Sequence, residues 1–193
     1  NLTSSDLNGL KAVTNLASGI GNTYLQFNST LVADFFGNPV LPSTGLQASM
    51  FTSDTTLPTL LSFSLDMNTG VVALSFSETI IGSSLNLSQF TIQSNGSGTL
   101  SGVSLVNTTV AGNVATFTAT LGVADLNSLK LNALGLSSTT TFLTYLNGSA
   151  RDAAGNNITA PIFGIPVNVF IPDITRPQLL SFMLDYGFGG LIL

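Results

Sequence analysis

The stretch Leu60-Leu-Ser-Phe-Ser-Leu-Asp-Met-Asn-Thr-Gly-Val-Val-Ala-Leu-Ser-Phe76 has the clearest structural pattern in this chain. Apolar residues occupy every second position from Leu61 to Leu65 and again from Val72 to Phe76, which is the period of a strand with one buried face. Between the two runs, Asp66-Met-Asn-Thr-Gly70 supplies the polar side chains and the glycine that suit a tight turn. The pattern predicts a β-hairpin whose inward residues are Leu61, Phe63, Leu65, Val72, Leu74 and Phe76.

The same pattern returns 119 residues later. When the sequence is compared with itself at this offset, 23 of the 74 overlapping positions are identical. Leu60-Leu-Ser-Phe63 matches Leu179-Leu-Ser-Phe182, and Asp6-Leu-Asn-Gly-Leu-Lys11 matches Asp125-Leu-Asn-Ser-Leu-Lys130. In the middle of the repeat an offset of 118 is better, because it aligns Asp34-Phe-Phe-Gly-Asn38 with Asp152-Ala-Ala-Gly-Asn156. Self-similarity at a fixed period indicates a tandem array of one structural unit.

The period also predicts the domain organisation. Residues 54–172 form one complete unit, residues 1–53 the late part of a preceding unit, and residues 173–193 the first strand or strands of the next, so we expect the chain to start and stop inside a unit. Short strands between turn-forming residues predict an all-β sandwich. One helical turn is expected at Ala124–Lys130, with Asp125 as its cap. The further predicted strands are Phe90–Ile92, Val103–Val106, Val114–Leu121, Thr140–Leu146 and Ile165–Phe170, and the phenylalanines expected in the core are Phe63, Phe76, Phe117 and Phe170.

Three elements of the unit resemble a known family. Asp54-Thr-Thr-Leu-Pro58 precedes the first strand, Leu74-Ser-Phe-Ser-Glu78 ends the second, and Asp152-Ala-Ala-Gly-Asn156 lies near the end of the unit. This order is similar to the bacterial-type Ig-like repeats of S-layer and adhesin proteins. Leu65-Asp-Met-Asn68 and Asp125-Leu-Asn-Ser-Leu-Lys130 resemble more closely the large repeat glycoproteins of algal surfaces, including mastigonemes. The resemblance implies tandem Ig-like β-sandwich repeats of about 119 residues in an extracellular structural or adhesive protein.

Composition excludes several classes of function. Only 7% of the residues are charged, against roughly 25% in ordinary soluble domains. Four basic residues cannot build the positive stripe that nucleic acid or anionic lipid requires. The chain has no Cys and no His, which removes thiol nucleophiles, Ser-His-Asp relays and zinc sites made of these residues. No apolar run is long enough for a membrane-spanning helix.

Seven Asn-x-Ser/Thr triplets could accept N-linked glycans, which would compensate for the scarcity of surface charge. Polar β-loops also contain such triplets without modification, so an incidental origin stays open. Together with the resemblance, the triplets predict a secreted, extracellular or cell-surface glycoprotein. The seven asparagines are Asn1, Asn28, Asn86, Asn95, Asn107, Asn147 and Asn157.

The acidic residues allow two interpretations. Calcium binds six to eight oxygen ligands and could stiffen a junction between units, with Asp54 joined either by Asp66 and Asn68 or by Asp152 and Asn156. Asx-turns, in which Asp or Asn accepts hydrogen bonds from nearby backbone N–H groups, explain the same residues more simply. A two-carboxylate glycosidase would need a close carboxyl pair, and Glu78 with Asp66 is the nearest pair in sequence. No substrate groove is indicated around that pair, so we expect no cofactor other than glycans or calcium, and no catalysis.

Two functions follow from these features. The first is a structural subunit of an extracellular filament or surface array, a homopolymer assembled head to tail through its incomplete units. The second is an adhesin or recognition module that uses loops at the ends of the sandwich. A filament requires contacts at the chain ends and a glycan-covered exterior, whereas an adhesin requires a glycan-free loop patch.

Overall fold

The computed structural model describes residues 1–97, 102–105 and 113–192. Strands outnumber helices throughout this part of the chain, which is compatible with the predicted all-β class. The α-helices are α1 (Ser4–Ala12) and α2 (Val123–Leu131), and short 3₁₀ turns lie at Ile20–Asn22, Gly82–Ser84, Leu87–Gln89 and Ser138–Thr140. The strands are β1 (Tyr24–Phe27), β2 (Ser43–Gln47), β3 (Leu60–Asp66), β4 (Val71–Ile81), β5 (Phe90–Gln93), β6 (Gly102–Ser104), β7 (Asn113–Thr120), β8 (Phe142–Tyr145), β9 (Ile165–Pro166), β10 (Val169–Ile171), β11 (Met183–Asp185) and β12 (Gly190–Ile192).

Two four-stranded sheets share one hydrophobic core in residues 54–172, which we call the central unit. The first sheet has the order β10-β3-β4-β7 and the second the order β6-β5-β8-β9. All neighbouring strands are antiparallel except β10, which runs parallel to β3. The core takes alternate residues from both sheets, among them Phe63, Leu74 and Phe117 from the first and Ile92 and Leu143 from the second. Phe170 packs against this core while half-buried.

The predicted hairpin is present as β3 and β4, with one correction. Phe63 and Leu65 are buried as expected, but Leu61 faces solvent and Leu60 is buried in its place. The reason is a register irregularity between Leu60 and Ser62, where the pairing with β4 shifts by one residue. A bulge of this kind reverses the face on which the preceding residues lie.

The turn between β3 and β4 has the predicted chemistry. The Asp66 carboxylate accepts hydrogen bonds from the backbone N–H groups of Asn68 and Thr69, at 2.8 and 3.1 Å. Gly70 closes the turn with a φ of +79°, a conformation that favours glycine. A Cβ at Gly70 would lie 3.0 Å from Leu126 Cδ1, so the position is also crowded.

Two other predictions needed correction. The helical turn is a nine-residue helix, α2, whose N-cap position is Gly122, while Asp125 lies buried within the first turn. The single strand predicted at 165–170 is two strands, β9 and β10, which belong to different sheets. The chain passes from one sheet to the other at Val167 and Asn168. The Val167 N–H donates to the Thr141 carbonyl, next to β8, and the Asn168 N–H donates to the Phe63 carbonyl on β3. The predicted strand Val103–Val106 is seen as β6, while Val106 lies outside the described residues.

Local structure recurs at the spacing of the sequence repeat. Helix α1 lies 119 residues before α2, and β1 lies 118 residues before β8. The β1–β2 pair has the register of the β8–β9 pair, since Leu25 opposite Leu46 corresponds to Leu143 opposite Ile165. In the same way β11 and β12 repeat the register of β3 and β4.

The recurring elements differ in burial. We call residues 1–53 the leading segment and residues 173–193 the trailing segment. Leu25 of the leading segment is 58% exposed, whereas its counterpart Leu143 is 0% exposed. Phe182 of the trailing segment is 66% exposed, whereas its counterpart Phe63 is 1% exposed. Both segments therefore expose apolar side chains whose counterparts form the core of the central unit.

Candidate functional site

The junction between the leading segment and the central unit concentrates charged and polar contacts, and it begins at helix α1. Thr3 caps this helix: its hydroxyl accepts a hydrogen bond from the Asp6 backbone N–H, and the Asp6 carboxylate accepts one from the Thr3 backbone N–H, at 2.9 Å. This reciprocal capping box satisfies two of the donors that a helix start leaves unpaired. Lys11 falls in the last turn, where the helix dipole favours a positive charge.

Helix α1 is held on the central unit by hydrogen bonds to β4 and β7. The Thr79 backbone N–H donates to Asn8 Oδ1 at 3.2 Å, and the Thr79 hydroxyl donates to the Asn8 carbonyl at 3.0 Å. Asn113 Nδ2 donates to the carbonyl of Ala12 at 3.1 Å. These bonds place the last turn of α1 over the acidic end of β4.

Lys11 joins three parts of the structure. Its Nζ lies 2.5 Å from Asp54 Oδ2 and 2.6 Å from Glu78 Oε2 on β4. Asp54 belongs to the start of the central unit before β3, residues 54–59, which we call the linker. Asp54, Glu78 and Asp152 each offer a carboxylate oxygen, and these three oxygens all lie within 4.8 Å of one another. The Lys11 side chain is 17% exposed and that of Glu78 only 8%, so this ion pair is largely shielded from water. We call Lys11, Asp54, Glu78 and Asp152 the junction cluster.

The surroundings of Lys11, Asp54 and Glu78 shift the pKa values of these three residues. Burial opposes the Lys11 ammonium, but its hydrogen bonds to Asp54 and Glu78 outweigh burial and raise the pKa of Lys11. Burial also opposes the Asp54 carboxylate, yet Lys11 lowers the pKa of Asp54 below its ordinary value. For Glu78 burial prevails over Lys11 and, with the negative charges of Asp54 and Asp152, raises the pKa. Of the two carboxylates that contact Lys11, Glu78 is thus the one whose negative charge is less stabilised.

Asp152 and Asn156 connect the cluster to the linker. Asp152 accepts hydrogen bonds from the backbone N–H and the Nδ2 of Asn156, both at 2.8 Å. Asn156 Nδ2 also donates to the Asp54 carbonyl at 3.1 Å. Asp34 and Asn38 form the same turn in the leading segment, where both residues are exposed. The recurring turn is thus an Asx motif, and in the central unit it additionally holds the linker.

The calcium candidates divide between the two ends of the central unit. Asp54, Asp152 and Asn156 meet at the junction cluster, where the Lys11 ammonium supplies the positive charge. Asp66 and Asn68 lie at or just beyond the C-terminal end of β3, a seven-residue strand that is about 20 Å long, whereas the linker with Asp54 precedes the strand's other end. Glu78 lies near the end of β4 that is remote from the turn at Asp66. The carboxyl pair nearest in sequence therefore does not converge.

The linker to the trailing segment repeats part of the junction. Lys130 Nζ lies 2.7 Å from Asp173 Oδ2, and these two residues are the counterparts of Lys11 and Asp54. The side chains are more exposed here, 39% and 27%. Asn68 Oδ1 accepts a hydrogen bond from the Thr175 hydroxyl at 2.8 Å and so ties the linker to the hairpin turn.

A cavity of about 620 Å³ lies beside the junction cluster, between α1, the linker and the central unit. Its lining includes Leu10 and Phe51, whose counterparts Leu129 and Phe170 belong to or pack against the core of the central unit. The cavity is therefore lined in part by apolar side chains whose counterparts lie in or against the core of the central unit.

The sequons lie on the surface wherever the structure describes them. Asn1, Asn28, Asn86, Asn95, Asn147 and Asn157 are all exposed, while Asn107 lies outside the described residues. In three of the sequons the hydroxyl of the Ser or Thr two residues on donates to the Asn side-chain oxygen, at 2.5 to 2.8 Å. Asn147 differs, since its Oδ1 accepts from the Ala160 backbone N–H, and Ser149 of this sequon is buried.

Sequence reasoning missed the central role of Lys11. A signal was available: Lys11 and Asp54 recur together as Lys130 and Asp173, in a chain with four basic residues. Glu78 could not have been assigned to the cluster, because its counterpart would lie beyond residue 193.

No protein-family model, curated protein or solved structure matches this chain. Among the described residues, no helix is long and apolar enough to cross a membrane.

Proposed function

We propose that this chain is a structural subunit of an extracellular, N-glycosylated filament or surface array, assembled head to tail from Ig-like β-sandwich units. The observation that carries the proposal is the contrast in burial between the central unit and its flanking segments. The leading and trailing segments repeat local structure of the central unit, yet they expose the apolar side chains that the central unit buries. Exposed apolar surface next to open strand edges promotes association.

The junction cluster supports an elongated assembly. Lys11 and Asn8 hold the leading segment on the central unit, and the Lys130–Asp173 pair repeats one of these contacts at the next linker. Units that follow one another through the same contacts form a linear array, in which each unit touches only its neighbours. Within this proposal the carboxylates of Asp54, Glu78 and Asp152 have a mechanical role, fixing the angle between units.

The exposed sequons support an extracellular location. Six sequon asparagines lie on the surface of the described chain, and glycans there would add the polar surface that a 7% charged composition lacks. Measuring the intact mass of the native protein before and after deglycosylation tests this part. A mass loss with conversion of sequon Asn to Asp is expected, and an unchanged mass would contradict it.

The assembly itself is tested with a matched pair of variants. Leu184 corresponds to the buried Leu65, whereas Leu180 corresponds to Leu61, which stays exposed in the central unit. Both leucines are more than half exposed in the trailing segment, so Leu184→Asp and Leu180→Asp should leave the fold intact.

Sedimentation velocity over a range of concentrations and electron microscopy provide the readout. The unmodified chain and Leu180→Asp should form concentration-dependent oligomers and elongated particles, while Leu184→Asp should stay monomeric. An unmodified chain that remains monomeric throughout would overturn the filament proposal and would favour a recognition module.

A further inference from the structure

The central unit shows how the last strand of a unit joins its first hairpin. Strand β10 is added in parallel to β3, with Val169 opposite Ser64, Phe170 opposite Leu65 and Ile171 opposite Asp66. Two backbone hydrogen bonds extend the ladder: Asn168 N–H donates to the Phe63 carbonyl at 2.9 Å, and Met67 N–H donates to the Ile171 carbonyl at 2.8 Å.

Counterparts of both partners exist in the flanking segments. Met50–Thr52 lies 119 residues before β10, and β11 corresponds to residues 64–66 of β3. In the described part of the chain β11 pairs only with β12, the counterpart of β4. The unpaired edge of β11 therefore corresponds to the edge of β3 to which β10 is bonded. Met50 and Met183 are both exposed, at opposite ends of the central unit in sequence.

We infer that Met50–Thr52 of one copy of this chain pairs in parallel with Met183–Asp185 of a second copy, with Met50 opposite Met183, Phe51 opposite Leu184 and Thr52 opposite Asp185. This inference rests on the proposed head-to-tail assembly and names its contact and register. The occupant of the open β11 edge is therefore a second copy of the chain.

The side chains and backbone groups suit this pairing. Phe51 and Leu184 are identical in type to Phe170 and Leu65, the pair that faces the core in the central unit. Neither Ser49 nor Tyr186 is proline, so both can donate the flanking backbone hydrogen bonds that Asn168 and Met67 donate.

The remaining surfaces fit the same arrangement. In the central unit the β8–β9 pair shares its core with the β3–β4 hairpin, through Leu143 on one side and Phe63 on the other. Leu25 on β1 and Phe182 beside β11 are the exposed counterparts of these residues. The leading segment of one copy and the trailing segment of another can thus bury apolar surface that each alone exposes.

The contact is heterologous. Its two faces belong to different parts of the chain, so a pair of joined copies still presents one free face of each kind, and addition continues without closure. Because the contact forms between separate molecules, assembly should depend on concentration.

Cysteine cross-linking tests the register directly, because the chain contains no cysteine of its own. Met50→Cys and Met183→Cys are made as separate variants, mixed in equal amounts and treated with glutathione disulfide, which is reduced to two molecules of glutathione as the protein disulfide forms. Both positions are exposed, so the free chain should keep its fold. Adjacent strands are about 4.8 Å apart, within the range that a disulfide spans.

The control partner is Leu180→Cys, three residues before Met183, which the proposed register places about 10 Å further along the extended chain. Leu180 corresponds to the outward-facing Leu61, so its replacement should leave the contact unchanged. We expect the disulfide-linked pair of Met50→Cys with Met183→Cys to form roughly tenfold faster than the pair with Leu180→Cys, and faster than either variant links to itself. Mass spectrometry of the linked peptides identifies the cysteines.

The outcomes separate the inference from the proposed function. Preferential linkage of positions 50 and 183 supports both. Assembly with no preference for position 183 over position 180 overturns the register and leaves the filament proposal standing. A chain that sediments as a monomer, and whose cysteines at positions 50 and 183 form a disulfide no faster than the control pair, overturns both.

Discussion

Replacing Lys11 with methionine removes the only positive charge of the junction cluster while keeping most of the side chain's volume. Glu78 then remains beside Asp54 and Asp152 in a site where its side chain is 8% exposed. Removing one partner of a buried ion pair costs about 3–5 kcal/mol. The loss has an upper bound here, because Glu78 can take up a proton instead.

That bound follows from the ordinary pKa of Glu78, 4.5. Keeping a carboxyl group protonated at pH 7, when its ordinary pKa is 4.5, costs about 3.4 kcal/mol, since each pH unit corresponds to about 1.36 kcal/mol. Since Lys11 is 17% exposed and α1 can partly relax, we expect Lys11→Met to lower the free energy of unfolding by about 2–3 kcal/mol at pH 7. At pH 5 the same variant should lose below about 1 kcal/mol, because protonating Glu78 is then easy.

The assay is urea denaturation, followed by circular dichroism, of a chain kept monomeric by Leu184→Asp. With an ordinary slope of 1–3 kcal/mol per molar urea, the midpoint should fall by about 0.7–3 M. Lys130→Met is the matched control: its pair with Asp173 is exposed, so about 0–1 kcal/mol is expected. Hydrogen exchange at the Thr79 amide, which donates to Asn8 on α1, reports whether the helix leaves the central unit.

Two results would refute this reasoning. One is a loss for Lys11→Met no larger than for Lys130→Met. The other is an equal loss at pH 5 and pH 7, which would mean that the contribution of Lys11 is packing and not charge.

Three further predictions use the same monomeric background. Phe63→Ala should cost about 3–5 kcal/mol in urea denaturation, while Phe182→Ala, its exposed counterpart, should be close to neutral; similar losses at both positions would contradict the assigned core. Gly70→Ala should destabilise by about 1–2 kcal/mol more than Gly189→Ala, because both glycines have positive φ but only Gly70 is crowded by neighbouring side chains; equal losses would mean that crowding is unimportant. Burial raises the pKa of Glu78 in the folded chain. The contribution of Glu78 to stability is therefore highest below its ordinary pKa of 4.5 and declines as the pH rises through the raised pKa. Thermal unfolding from pH 4 to 8 should show this decline and Glu78→Gln should remove it, whereas a decline that persists in the variant would assign it to another group.

The sequence was sufficient to predict the hairpin, the alternation on β4, the polar turn at Asp66 and the repeat. These features depend on neighbouring residues: a strand with one buried face requires a period of two, and a tight turn requires Gly or Asp at particular positions. Composition likewise predicts no nucleic-acid binding and no Cys/His chemistry, because it counts the groups that such chemistry requires.

Tertiary structure alone decided where these elements meet. The bulge at Leu60 turns Leu61 outward, and the run 165–170 divides between two sheets, because pairing with distant strands determines register and sheet membership. The junction cluster has the same origin: Lys11 and Glu78 are 67 residues apart, and no local pattern relates them. Side chains so far apart in sequence meet only when packing of the elements between them brings them together, so the repeat could indicate that Lys11 matters while only the folded chain could show its partners.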